Sequence, residues 1–195
     1  MSETGLYILK FYLLAGLVAH KVLWEVLKRR QGDAQTAGES TTSLVTKLIK
    51  LVKLMILAAI IAQTVLPDFL PISDEPLVLR LVGLFIFTLG LLTAISARLQ
   101  LGSNWSDIED GKIADKHAVV SQGIYGYIRH PIDTGDILLL IGLELCLNSW
   151  LVLAVLLLAP IVAAQAIREE KKLINALPDY EEYTRQTKRF IPFLI

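Results

Sequence analysis

The sequence predicts an all-α fold, a polytopic membrane helical bundle, and three observations carry that prediction. Of its 195 residues, 54% are hydrophobic and 19% charged, against about 45–50% and about 25% in soluble domains. The charged residues avoid several long runs, and mean hydropathy is +0.55. Lys and Arg crowd into alternate connections between those runs, although the formal net charge is zero.

The elements follow in order. A transmembrane helix needs roughly 20 mostly apolar residues, and residues 6–27 satisfy that, with Trp24 as an interfacial anchor and His20 and Lys21 near one end. The opening MSETGLYILK has no basic n-region and no small-residue cleavage site, so this run reads as a retained span. Residues 51–70 form the second span, entered through Lys47, Lys50 and Lys53. These lysines line one side and snorkel towards headgroups. Residues 77–97 are the third. Two further apolar stretches, 134–148 and 150–166, are split by Asn148-Ser149. Asn-Ser is turn chemistry, and the combined length exceeds one crossing, so a helical hairpin is predicted. Pro160 is positioned to kink its second arm.

Charge orients these spans. Segment 28–50 carries Lys28, Arg29, Arg30, Lys47 and Lys50, and 98–130 carries Arg98, Lys112, Lys116 and Arg129. After 167 come Arg168, Lys171, Lys172, Arg185, Lys188 and Arg189, whereas 67–76 and the Asn148-Ser149 turn have no basic residue. By the positive-inside rule the expectation is five transmembrane helices, the last two a hairpin, with the N-terminus outside and the C-terminus cytoplasmic. Residues 1–97 then hold three N-terminal transmembrane helices and a flexible cytoplasmic linker near 31–43. Residues 98–195 hold the functional half: a cytoplasmic loop, the hairpin 134–166 and a helical cytoplasmic tail.

Several chemistries are excluded. There is no Gly-rich phosphate loop, no Gly-x-Ser-x-Gly elbow and no Cys/His cluster at metal spacing. The histidines at 20, 117 and 130 are scattered, and the single cysteine, Cys146, sits in an apolar run where packing explains it. Neither a metal nor nucleic acid is expected as a partner.

Four features remain, all in the second half. LGSNWS (101–106) combines turn residues with Trp105, which suits a membrane-surface loop as well as a site. GIYGYIRHP (123–131) supplies tight backbone at Gly123 and Gly126, aromatic faces at Tyr125 and Tyr127, and donors at Arg129 and His130. Pro131 favours a helix start, whose free N–H groups suit an anion, but a basic-aromatic edge is also an ordinary anchor. Glu169 and Glu170 follow Arg168 directly after the last span; they fit a solvated face or a cationic ligand. The tail DYEEYTRQTKRFIPF (179–193) reads as an amphipathic surface helix that tucks back against the membrane. Asp133, Asp136, Leu140 and Glu144 share one face of the fourth span. Intramembrane carboxylates are costly, so Asp136 is a functional candidate, while Glu144, near the outer turn, has a structural reading in reach of water.

In this order and spacing, LGSNWS, GIYGYIRHP, a short hairpin, REEKKL and DYEEYTRQTKRFIP resemble the isoprenylcysteine carboxyl methyltransferase family, over about residues 98–195. Small five-span prokaryotic members are most similar; phospholipid methyltransferases belong to the wider group, and sterol reductases share part of the architecture. The resemblance implies S-adenosylmethionine as cofactor on the cytoplasmic side and a lipophilic or lipidated acceptor entering from the bilayer. It carries over to Gly123, Tyr125, Arg129, His130 and Pro131, to Glu169 and Glu170, and to Tyr180, Tyr183, Arg189 and Pro192. Arg129, Glu169 and Glu170 are the catalytic candidates. Arg129 would orient a carboxylate acceptor, and the glutamates would face the sulfonium or handle a proton from an amine or thiol. Gly123, Tyr125, His130, Pro131, Tyr180, Tyr183 and Arg189 are the cofactor candidates; Trp105, Asp133 and Asp136 are the substrate candidates. Two positions depart from the family: Asp133 replaces a usual aromatic, and Ala163, Ala164 and Gln165 stand where a basic residue is common. The competing readings are a phospholipid N-methyltransferase, an NADPH-dependent sterol-type reductase and a non-catalytic membrane scaffold.

Overall fold

The computed structural model describes residues 1–32, 44–66, 69–104 and 118–192. Within them lie six α-helices and no strand: α1 (Glu3–Gly32), α2 (Leu44–Val65), α3 (Leu77–Leu101), α4 (Pro131–Cys146), α5 (Val152–Ala176) and α6 (Tyr180–Gln186). Three of them, over Glu3–Arg30, Leu77–Leu101 and Val152–Ala176, are long and apolar enough to cross a membrane. α1 has Glu3 in its first turn and Arg29 and Arg30 in its last, charges that complement the helix dipole. α2 ends at Val65, short of the apolar run that continues to residue 70. Leu70, at φ 52°, has left-handed backbone that cannot extend a helix. α4 begins on Pro131, whose missing N–H costs nothing at a first helical position. Pro160 lies inside α5, which continues through it.

The closest packing joins α3 to α4, and glycine makes it possible. A Cβ added to Gly83 would lie 2.5 Å from the Cys146 nitrogen, and one on Gly90 would lie 2.3 Å from the Leu139 nitrogen. Reciprocally, Gly135 faces the Ala94 nitrogen at 2.5 Å and Gly142 the Phe87 nitrogen at 2.2 Å. The pairing runs antiparallel, backbone on backbone, with glycines seven apart on each helix. Among lipid-facing helices, where water drives no association, such small-residue seams allow the contact that holds them. α1 lies across this seam: Leu9, Leu13 and Leu17, spaced by four, bury with Phe87, Leu139, Leu143, Cys146 and Leu147 in one core. The core therefore unites helices from both halves of the chain.

The two connections that lack basic residues meet at one end. The Asn148 side chain accepts from the Ile72 and Ser73 amides at 3.2 and 3.0 Å and donates to the Ser73 carbonyl at 2.8 Å. The Trp150 amide donates to the Leu70 carbonyl. Asn148 holds φ 56°, left-handed backbone that asparagine tolerates better than most residues. Near it, Glu144 is buried rather than in reach of water: Gln63 of α2 donates to its carboxylate at 2.8 Å. Cys146 is buried too, its Sγ 3.4 Å from the Arg80 carbonyl.

Candidate functional site

At the opposite end of α4, short-range geometry brings three separate segments together. Gly123–Gly126 forms a 3-10 turn, anchored to the end of α3 because Gln100 accepts from the Ile124 amide at 2.9 Å. Gly123 has φ 60°, and a Cβ there would meet the Gln100 oxygen at 2.3 Å; both the conformation and the approach require glycine. The chain then runs beside the tail. Arg129 and His130 amides donate to the Lys188 and Arg189 carbonyls at 2.8 and 3.0 Å, and the Lys188 amide returns to Tyr127 at 3.1 Å. Thr134 adds a bond to the Phe190 carbonyl at 3.2 Å.

Glu170 is the hub that joins these segments to α5. Its carboxylate receives Arg129 Nε at 2.8 Å, His130 Nε2 at 3.1 Å and Arg189 Nη2 at 2.8 Å. Arg129 also bonds the Thr184 carbonyl at 3.1 Å and the Thr187 carbonyl. The Tyr183 hydroxyl donates to the Tyr125 carbonyl at 2.7 Å. Burial of His130 disfavours its charge, but hydrogen bonds to Asp133 and Glu170 outweigh that and raise its pKa to about 9. The imidazole is therefore a cation at neutral pH, with Nδ1 3.4 Å from Asp133. Burial pushes the Tyr183 phenol up to about 12 and the Tyr125 phenol higher still. The Glu170 ion pair raises the Arg189 guanidinium above its ordinary value.

A cavity opens against this welded wall. Tyr125, Arg129, His130, Pro131, Asp133, Glu169, Tyr180 and Tyr183 line it, together with Leu101, Asn104, Leu173 and Leu177. The adjacent glutamates thus have different places. Glu169 faces the cavity, while Glu170, 5% exposed, lies behind it among cations. Neighbouring helical residues point about 100° apart, the rotation implied by 3.6 residues per turn, so one pair serves two sides of a wall. Gly123 and Arg189 support the cavity from outside its lining. Asp136 turns to α1, where His20 Nε2 lies 3.0 Å from its carboxylate and stacks on Trp24 at 4.2 Å. Trp105 lies outside the described residues.

Sequence reasoning missed several contributors. Leu173 and Leu177 line the cavity at four-residue steps from Glu169, a periodicity legible once Glu169 is taken as inward. Thr184 and Thr187, which anchor Arg129 through their carbonyls, left no signal, because backbone acceptors carry no side-chain signature.

The phospholipid methyltransferase family profile matches residues 78–178, just over half the chain. The Schizosaccharomyces pombe protein-S-isoprenylcysteine O-methyltransferase is 26% identical over 96% of this chain and 79% of its own length. The Xenopus laevis protein of the same name is 29% identical over 69% of this chain and 46% of its own. A solved eukaryotic intramembrane Ras methyltransferase, isoprenylcysteine carboxyl methyltransferase, superposes with a TM-score of 0.60 at 21% identity. It covers 95% of this chain, which spans 65% of that structure. A family match across the α3–α5 region and an apolar helical fold shared with an intramembrane enzyme lead to one statement: the chain is an integral membrane protein that belongs to the phospholipid methyltransferase family.

Proposed function

We propose that this protein is an S-adenosylmethionine-dependent methyltransferase acting on a lipophilic acceptor, an isoprenylcysteine-type carboxylate or similar isoprenoid. The observation that carries the proposal is the cavity walled by Tyr125, Asp133, Glu169 and Tyr180, braced from behind by Glu170. Its composition fits the cofactor. Leu101, Leu173 and Leu177 offer an apolar wall to an adenine ring, and aromatic faces with two carboxylates suit a cation. S-adenosylmethionine, when bound there, would supply a methyl group activated by a cationic sulfur for displacement by the acceptor's lone pair. Such a displacement needs alignment and exclusion of water more than a strong base. The residues here suit that work: Glu169 and Asp133 line the cavity where they would face the positive charge, the tyrosines and leucines would exclude water, and Glu170 holds Arg129 and His130 in place. Arg129 uses Nε and Nη1 on Glu170 and on tail carbonyls, so its contribution is to position the wall.

Topology supports the same reading. The two connections without basic residues lie together at the Asn148 end, and the basic residues 28–30, Arg98, Arg129 and 168–189 belong to the other. Five crossings by α1 to α5, with the N-terminus outside and the cavity at the cytoplasmic face, satisfy that distribution. α4 and α5 then form a hairpin, and α4, with 16 residues, is about 24 Å long and reaches the interface through His130 and Asn148. A phospholipid amine is the second reading, favoured by Asp133 and Glu169 in the cavity lining. An NADPH reductase fits less well, because Arg129, His130 and Arg189 are all engaged by Glu170.

Calorimetric titration of the detergent-purified protein with S-adenosylhomocysteine, and separately with NADPH, tests the proposal. Saturable binding of the first alone is the expected result. Binding of NADPH alone would overturn it in favour of the reductase, and binding of neither by folded protein would leave a scaffold.

A further inference from the structure

The buried cluster poses a problem for an anionic acceptor. Arg129, His130 and Arg189 are the basic groups nearest the cavity, and each is already bound to Glu170. A carboxylate arriving from the bilayer needs a counter-ion elsewhere. On an exposed side of α5 a shallow groove runs from Pro160 past Gln165 to Lys172, and Glu169 lines both this groove and the cavity. The groove is therefore continuous with the site through one side chain. Ile161, Gln165, Arg168 and Lys172 recur along it at four, three and four residues, the spacing of a single helical face. Among the described residues, neither the Arg168 nor the Lys172 side chain forms a hydrogen bond or a salt bridge. Even with Glu169 ionised, these three side chains sum to one positive charge. The groove's other end, at Pro160 and the exposed Ile161, is apolar.

Resting on the methyltransferase reading, we infer that Arg168 and Lys172 hold the acceptor's carboxylate while its isoprenoid chain lies along α5 towards Pro160. The arrangement separates two tasks. The donor's positive charge would face Glu169 and Asp133 inside the cavity, and the acceptor's negative charge is held outside the Glu170 cluster, by Arg168 next to Glu169 and Lys172 about one helical turn beyond it. Arginine suits the role because its planar guanidinium presents two parallel N–H groups to a carboxylate. It also gives this chain a basic group beside Gln165, on the same helical face.

The test uses the full chain in phosphatidylcholine nanodiscs. An N-acetylated S-farnesyl cysteine and its methyl ester compete for binding in wild type, Arg168→Ala, Lys172→Ala, the double variant and Arg168→Lys. The acid is expected to bind about 2–5-fold more weakly to each single alanine variant, the range for losing one exposed ion pair, and still more weakly to the double variant. The ester should be unaffected, S-adenosylhomocysteine should titrate as in wild type, and Arg168→Lys should recover part of the loss. Equal weakening of acid and ester, or of neither, would overturn the inference. So would methylation of phosphatidylethanolamine vesicles with the acid inert. A wild-type protein that bound no S-adenosylhomocysteine would remove the methyltransferase reading itself, and this inference with it.

Discussion

Glu170→Gln separates the two adjacent glutamates by what each supports. The substitution keeps volume but deletes the negative charge that Arg129, His130 and Arg189 share, all within 3.1 Å, leaving only His130 with a second carboxylate, Asp133, nearby among the described residues. The amide retains one acceptor oxygen and turns an N–H₂ towards a guanidinium, so the two-pronged Arg189 contact cannot survive. Removing one partner of a buried ion pair costs about 3–5 kcal/mol. Arg189 is 31% exposed at its side chain and can rehydrate, which argues for the lower end, about 3 kcal/mol. At roughly 2–4 °C per kcal/mol for a chain of this size, the melting temperature should fall by about 6–12 °C. S-adenosylhomocysteine affinity should fall as well, because Arg129 and His130 line the cavity and lose their support. Glu169→Gln, on the cavity side, should weaken ligand binding while the melt stays within about 2 °C of wild type, a surface-scale effect. Thermal unfolding in detergent with and without S-adenosylhomocysteine reads both quantities. Equal melting of Glu170→Gln and wild type, or a comparable stability loss in Glu169→Gln, would refute the hub.

Three further outcomes are expected. Gly142→Ala would place Cβ 2.2 Å from the Phe87 nitrogen, forcing α3 and α4 apart by roughly 1 Å in a close-packed interior; folded yield on size-exclusion chromatography should drop sharply, while Gly5→Ala, which meets the flexible Met1 side chain, should not. Asn148→Ala removes three bonds to the 72–73 backbone and leaves alanine at φ 56°; it should cost about 2–4 kcal/mol as unmet backbone groups plus left-handed strain, and Asn148→Gly should recover the strain alone. His130, raised from its ordinary 6.5 to about 9, contributes stability that is complete below pH 6.5 and is lost as pH rises through about 9. Melting curves from pH 6 to 10 should show that decline in wild type and not in His130→Gln.

How much of this was legible beforehand depended on the kind of interaction. Helix type, the start of α4 at Pro131 and the break at Asn148 follow from local preferences, since proline and asparagine constrain their own backbone whatever surrounds them. The membrane class follows from composition, and the family from blocks whose spacing survives in one dimension. The cavity lining at Tyr125, His130, Asp133 and Glu169 was readable for the same reason: chemistry-bearing side chains sit in short, dense motifs.

Tertiary structure alone decided the rest, because it depends on which distant groups meet. Nothing local distinguishes Glu169 from Glu170; their division into cavity wall and buried hub exists only once Arg189 folds back and the 129–130 backbone pairs with the tail. Arg129 read as the cation that would orient a carboxylate acceptor, yet three-dimensional contact commits it to Glu170 and to carbonyls that no side-chain pattern announces. Asp136 was one of three carboxylates on a helix face until α1 brought His20 within 3.0 Å of it. The glycines at 83, 90, 135 and 142 are ordinary along the chain, and become a seam only when two helices are laid antiparallel. By itself, then, the sequence determined helices, membrane class and the short motifs from which the cavity lining is drawn, since those reside in local covalent preference and composition. Their roles were decided by the fold, because a charge acts according to the partner it meets.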